Sequence, residues 1–183
     1  SVPLALGLSM PLFGAAVSLC LFSLGDHLLR GLGHGVGGWV LIIPLGLVSL
    51  GAGRLWVDAV ASASLRRHAL VACGLGLVVL VGVHLMLATV SSQLWLGLGI
   101  CVLSGLALGQ PLAIGLRLAA EWDEAAVAAL WSRHAAGFAL GAAFCQLFVL
   151  IAGVAKLWPV GVAAFALGAA LLALGSLRRA PVV

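Results

Sequence analysis

Apolar residues in this chain neither alternate nor keep to a single stripe; they run. Runs of roughly 20 residues, enough at 1.5 Å per residue to cross a ~30 Å hydrocarbon layer, follow one another, with polar residues gathered between them. The pattern predicts spans over residues 2–24, 39–53, 69–90, 94–116, 134–155 and 160–177. Glycines across 25–38 predict a loop after the first span, and Pro44 a kink in the second. Arg54, Asp58, Arg66 and Arg67 mark a polar connector in which Arg54 and Asp58, four apart, can pair. Residues 91–93 and 156–159 read as tight turns. Between the fourth and fifth spans, residues 117–133 are rich in helix formers. Leu118, Trp122, Ala126 and Leu130 recur every four residues there, which predicts a short amphipathic helix lying in the membrane interface.

Composition makes the class firm. Hydrophobic residues are 64% of the chain and charged ones 8%, more apolar surface than a soluble globule can hide. The reading is an all-α polytopic membrane protein, one domain of six transmembrane helices, multi-pass in a membrane of the bacterial inner (plasma) type. Arg54, Arg66, Arg67, Arg117, Arg133, Arg178 and Arg179 fall on one side of the six spans, and Arg30 and Lys156 on the other. The positive-inside rule then places both termini in the cytoplasm. The net charge of +4 is thus a topology signal, and nucleic acid is not an expected partner. Trp39, Trp56, Trp95, Trp122, Trp131 and Trp158 lie near span ends, as an interfacial aromatic belt requires. The four cysteines lie inside spans without a C-x-x-C pair and read as small buried hydrophobes. The chain opens Ser1-Val-Pro3 without methionine, as a processed chain or a piece of a longer one would, and no signal peptide with a cleavage site is readable.

Small residues four or seven apart mark close packing faces: Gly105 and Gly109, Gly137 and Gly141, and Gly161, Gly168 and Gly175. In a six-helix bundle they bind the helices to one another. Three spans leave the membrane through glycine and arginine (Gly53-Arg54, Gly115 to Arg117, Gly175 to Arg178), a common ending that lets arginine snorkel rather than the sign of a two-helix repeat.

Few residues carry chemistry. His84 lies at membrane depth, where an ionisable group is a functional candidate; the plain alternative is a neutral imidazole bonded to a carbonyl. His27, His34 and Asp26 after the first span would join it at the outer face as haem or metal ligands, although no ligand spacing is a metal signature. His68 and His134 open spans at the inner face, so His134 and His84 lie at different depths. Pro111 frees a carbonyl near Ala107, and Gln110 adds a polar side chain beside it, which together suit a solute path or a packing kink. Glu121, Asp123 and Glu124 offer a docking face for a soluble partner, or simply a solvated turn. No phosphate loop, dinucleotide fingerprint, G-x-S-x-G or zinc-protease motif is present, and these residues alone encode no autonomous active site.

Gly105 to Leu118, with Gly109-Gln-Pro-Leu-Ala-Ile-Gly-Leu-Arg117, resembles a span in the membrane domain of spermidine synthase-like proteins; Trp131 to Gly141 resembles the span that follows. His134-Ala-Ala-Gly137 departs from the Asn-Gly-like pair expected there. Pro44 to Leu55 resembles an earlier glycine-rich span. The resemblance implies a module that accompanies a soluble aminopropyltransferase-like domain, and no catalytic residue is carried over. Half of a major-facilitator transporter also has six spans with both ends inside. Its Gly-x-x-x-Asp-Arg-x-Gly-Arg loop is matched here only by widely spaced Gly53, Asp58 and Arg66-Arg67. The sequence therefore favours an anchor or scaffold in the lipid bilayer for a soluble domain or membrane-protein partner, with no cofactor. A haem- or quinone-binding redox subunit using His84 with His27 or His34, and a transporter or half-transporter using Gln110 and Pro111, are the alternatives.

Overall fold

A computed structural model of the chain describes residues 3–32, 37–59, 64–90 and 94–176. They form six α-helices: α1 (Leu4–Leu32), α2 (Gly37–Asp58), α3 (Leu65–Val90), α4 (Leu94–Ala120), α5 (Glu124–Ala152) and α6 (Leu157–Ser176). Among the described residues there is no strand. Helices α1, α3, α4, α5 and α6 are long and apolar enough to cross a membrane. The protein is all-α and polytopic.

Several boundaries differ from the sequence expectation, each for a local reason. Helix α1 runs past Gly25 to Leu32, so Asp26 and His27 sit on its last turns rather than in a loop. Asp26 and Arg30 pair at 2.7 Å across one turn, and Arg30 faces the negative end of the helix dipole. His34 lies outside the described residues. Residues 117–133 do not form a helix of their own. Helix α4 continues to Ala120, the chain turns as the Trp122 N–H donates to the Ala119 carbonyl at 2.8 Å, and Asp123 caps α5 by accepting from the Ala126 N–H at 2.5 Å. The apolar stripe is therefore shared between two helices. Leu118, Ala126 and Leu130 are buried in the core with Trp122 packed against them, not laid on a membrane interface.

Helix α5 ends at Gly153, whose φ of 81° favours a residue without Cβ. A single 3-10 turn, Val154–Lys156, leads into α6. Trp158 and Pro159 thus occupy the first turn of α6, where proline gives up no helical bond. Trp158 is wholly buried and its indole N–H donates to the Leu80 carbonyl at 2.9 Å, so it is a core residue and not part of a belt. Trp56, Trp95 and Trp131 are exposed, and the side chain of Trp39 lies outside the described residues. Arg54 and Asp58 form no ion pair.

The glycine faces fix how the helices meet. A Cβ at Gly161, Gly168 or Gly175 would strike Cys20, Phe13 or Leu6, so α6 runs antiparallel to α1 with a seven-residue repeat on both. Gly137 lies on the Pro11 backbone and Gly141 on Ala15 and Ser18, so α5 runs parallel to α1. Gly105 meets Ser49, and Gly109 meets the Leu50 backbone, so α2 runs parallel to α4. Met10 fills the space at Gly115 and Leu28 that at Gly97, which makes α1 and α4 antiparallel. These glycines bind the helices to each other, as their spacing predicts.

The extensive contacts follow one rule. Helix α1 packs along α5 and α6, α4 packs along α2 and α3, and smaller contacts join α3 with α6, α1 with α4, α4 with α5 and α1 with α2. Exchanging α1 with α4, α2 with α5 and α3 with α6 maps α1–α6 onto α3–α4, α1–α5 onto α2–α4 and α4–α5 onto α1–α2, and leaves α1–α4 and α3–α6 unchanged. The exchanged helices α1 and α4 run in opposite directions. Phe13 and Phe165, edge to face at 5.4 Å, lie in the core where α1 meets α6.

Candidate functional site

Helices α2 and α5 flank the central pair and make no extensive contact with each other. Between them runs a groove made of two adjoining cavities of about 250 and 260 Å3, with Phe138 of α5 lining both. The first cavity is apolar, lined by α1, α2 and α5 through residues such as Leu21, Ile42 and Ala142. The second reaches the floor at Val17 of α1 and at Leu108, Gly109 and Leu112 of α4. The exchange that relates the two halves carries the groove onto itself, because its floor is α1 with α4 and its walls are α2 with α5.

The second cavity is mostly apolar, with Arg54 and His134 as its polar side chains. Arg54 enters from α2; Trp131, His134 and Phe138 enter from α5, at positions that helical spacing places on one face. The Trp131 and His134 rings stack at 6.4 Å and 20°. Arg54 is exposed, and among the described residues it has no ion-pair partner. His134 Nε2 is buried without a hydrogen-bond partner. No carboxylate lines the cavity. The sequence reading did not assemble this set. It used Arg54 and Trp131 as topology markers, and the i, i+3, i+7 spacing of 131, 134 and 138 was the signal that could have joined them.

The outer-face candidates do meet. Asp26, His27, Arg30 and His84 line one cavity of about 430 Å3, together with Trp158 and the Gly153 turn. His27 Nε2 donates to the Leu87 carbonyl, which puts its proton on that nitrogen, and Asp26 is paired with Arg30. Among the described residues no three His, Cys, Asp or Glu side chains gather as a metal site.

Gln110 is half-buried and its Nε2 donates to the Leu106 carbonyl of its own helix at 3.4 Å; Pro111 is buried. The groove takes Gly109 and Leu112 from either side of them. The Ala107 carbonyl, which Pro111 leaves without its helical donor, faces α3 at Gly76. Of the acidic residues, Glu121 pairs with Arg66 at 2.8 Å and Asp123 caps α5; Glu124 is exposed in the first turn of α5. The Arg117 guanidinium donates to the Val57 carbonyl at 2.5 Å, so α4 holds the end of α2, and Glu121 in the turn after it holds the start of α3.

Comparisons with protein-family models, curated proteins and solved structures return no match.

Proposed function

We propose that this chain is one six-helix half of a membrane transporter, with the α1/α4 floor and α2/α5 walls forming one side of a solute path that a second six-helix unit closes. The observation that carries the reading is a three-plus-three pattern of helix contacts, with oppositely directed α1 and α4 as the floor of a groove between α2 and α5. Inverted repeats with the substrate site at the repeat interface recur in secondary transporters, because exchanging two such halves opens the path to alternate sides. Contacts from α4 and the turn after it to the ends of α2 and α3 support it, since they join α1–α3 to α4–α6 at one end of the bundle. The proposed topology puts both termini in the cytoplasm, following the arginine distribution. The groove lining, mostly apolar with Arg54 and His134 at one end, and not Gln110 and Pro111, then faces the solute.

The anchor reading, with the spermidine synthase-like resemblance behind it, makes the opposite demand of the groove: lipid fills it. Substituted-cysteine labelling in membranes separates the two. The native cysteines are all buried and give a low background. Single cysteines at Leu50, Leu112 and Phe138 should react with a water-soluble maleimide. One at Leu140, which is exposed on α5 but does not line the groove, should not. Equal inertness at all four positions rules out a hydrated path and returns the chain to an anchor role.

A further inference from the structure

Of the helices long and apolar enough to cross a membrane, α5 is the least covered by the rest of the bundle. Its exposed surface has two unlike sides. Leu140, Phe144, Leu147 and Ile151 give one side the bulk that lipid chains pack against. The other side carries Ser132, Ala135, Ala139, Ala142 and Gln146, all exposed and spaced alternately by three and four. We propose that this second side is a dimerisation face, on which α5 of a second copy of the chain lies parallel, with the two Gln146 amides bonded to each other. A second copy is then the second six-helix unit of the half-transporter reading; the use of the contact rests on that reading, and its existence does not.

The amide carries the argument. Gln146 lies ~9 Å of helix short of Ala152, among exposed Phe144, Leu147 and Leu150, and so stands within the hydrocarbon layer. Its side chain is exposed there and forms no hydrogen bond with another described residue. Other polar side chains in the spans turn back on their own helix: Gln110 donates to the Leu106 carbonyl, and Ser132 to the Ala128 carbonyl at 3.0 Å. An open amide facing lipid is costly, and glutamine is among the side chains that hydrogen-bond from one membrane helix to the next. The residues in line with it permit that approach. Steps of three and four make the seam of a left-handed coiled coil, in which one polar position fixes the register. Serine and alanine along the seam let the two backbones come close.

Depth and self-complementarity choose the occupant. Two copies inserted the same way hold residue 146 at the same depth, and a two-fold axis along the membrane normal lays their α5 helices parallel. An amide both donates and accepts, so two related amides satisfy each other. No charged side chain lies on the face to repel its own copy. Ala142 also lines the first cavity, so the contact runs along the α5 rim of the groove.

The test is oxidative cross-linking of single cysteines in the full chain, reconstituted alone into phosphatidylethanolamine–phosphatidylglycerol liposomes. The native cysteines are buried, and the unaltered chain sets the background. Cysteines at Ala139 and Gln146 should give dimers; cysteines at Leu140 and Leu147, on the lipid side, should not. Energy transfer between copies labelled at the C terminus, followed as lipid is added, gives the dissociation constant. Gln146→Leu should raise it about 3- to 20-fold, and Gln146→Asn, which keeps the amide, should raise it less. Ala139→Leu, which forces the seam apart, should raise it about 10-fold or more, and Leu140→Ala should leave it unchanged. Unaltered helix content shows that each variant is folded. A chain that stays monomeric at high protein-to-lipid ratio, equal or stronger cross-linking from Leu140 and Leu147, or an unchanged constant in Gln146→Leu would each overturn the assignment. Maleimide labelling of the groove in the same liposomes keeps the two readings apart. A monomer with a labelled groove sinks the dimer and leaves the half-transporter reading standing; a dimer with an inert groove does the reverse.

Discussion

At Gly137 a methyl group would fall on the main chain of Pro11, and a helix backbone cannot step aside as a side-chain tip can. At Gly168 the same methyl would meet side-chain atoms, the Phe13 ring at 3.2 Å and the Leu12 Cβ at 3.4 Å. Gly82, within the same bundle, has open space around it. The three positions therefore predict a graded series. Gly137→Ala should cost about 1–3 kcal/mol by overpacking, Gly168→Ala less, and Gly82→Ala within about 0.5 kcal/mol of nothing. Thermal unfolding in one detergent checks the order, and equal losses at Gly137 and Gly82 would refute the α1–α5 contact. That these glycines mark packing faces was legible from their spacing, because little else lets two helices approach so closely. Which helix each one meets was not legible, since glycine has no side chain to carry the identity of a partner.

Helix α3 meets α6 through a side chain that the sequence misplaces. Tryptophan near a span end suits either a lipid interface or the bundle interior; depth can be read from the chain, but the direction a side chain faces depends on neighbours. Trp158 faces inward because Gly153 and the 3-10 turn start α6 at Leu157, one residue before it, and the Leu80 carbonyl then accepts its N–H. Trp158→Phe keeps most of the ring volume and leaves that carbonyl without its donor. It should lower stability by about 1–3 kcal/mol, while Trp95→Phe, on an exposed ring, should leave the melting temperature nearly unchanged. Similar shifts for both would mean that the indole bond contributes nothing. The segment 117–133 carries a related lesson. Its four-residue stripe was correctly seen as apolar, but a stripe does not say whether lipid or protein covers it. Asp123 decided the matter by starting a new helix in the middle.

Over the whole molecule, the number and order of the helices could be read from apolar runs alone, whereas the exchange that relates α1–α3 to α4–α6 could not. Exits through glycine and arginine suggested pairs of helices, if any repeat at all. The packing instead repeats by threes, and spans of glycine, leucine and alanine hold too little information to reveal it. The groove's polar residues escaped for the same reason: they come from helices far apart in sequence, α2 and α5. The proposed topology has its own check. Reporter fusions before α1 and after α6 should both report the cytoplasm, and adding arginines to the turn between α5 and α6 should disturb that orientation. A terminus outside the cytoplasm would invert or break the six-span arrangement.

The central position of α1 bears on how the protein is made. Its main partners, α5 and α6, leave the ribosome four and five helices later, and it packs far less against α2, which follows it directly. During synthesis α1 must therefore wait in the bilayer for most of the chain to appear. Two of its buried serines are suited to the delay: Ser9 donates to the Leu6 carbonyl and Ser18 to the Ala15 carbonyl, both within the helix itself. Helix α1 thus enters the membrane with these hydroxyls already satisfied, and a translation product that stops short of α5 leaves it a stable but orphaned segment, open to whatever quality control patrols the membrane.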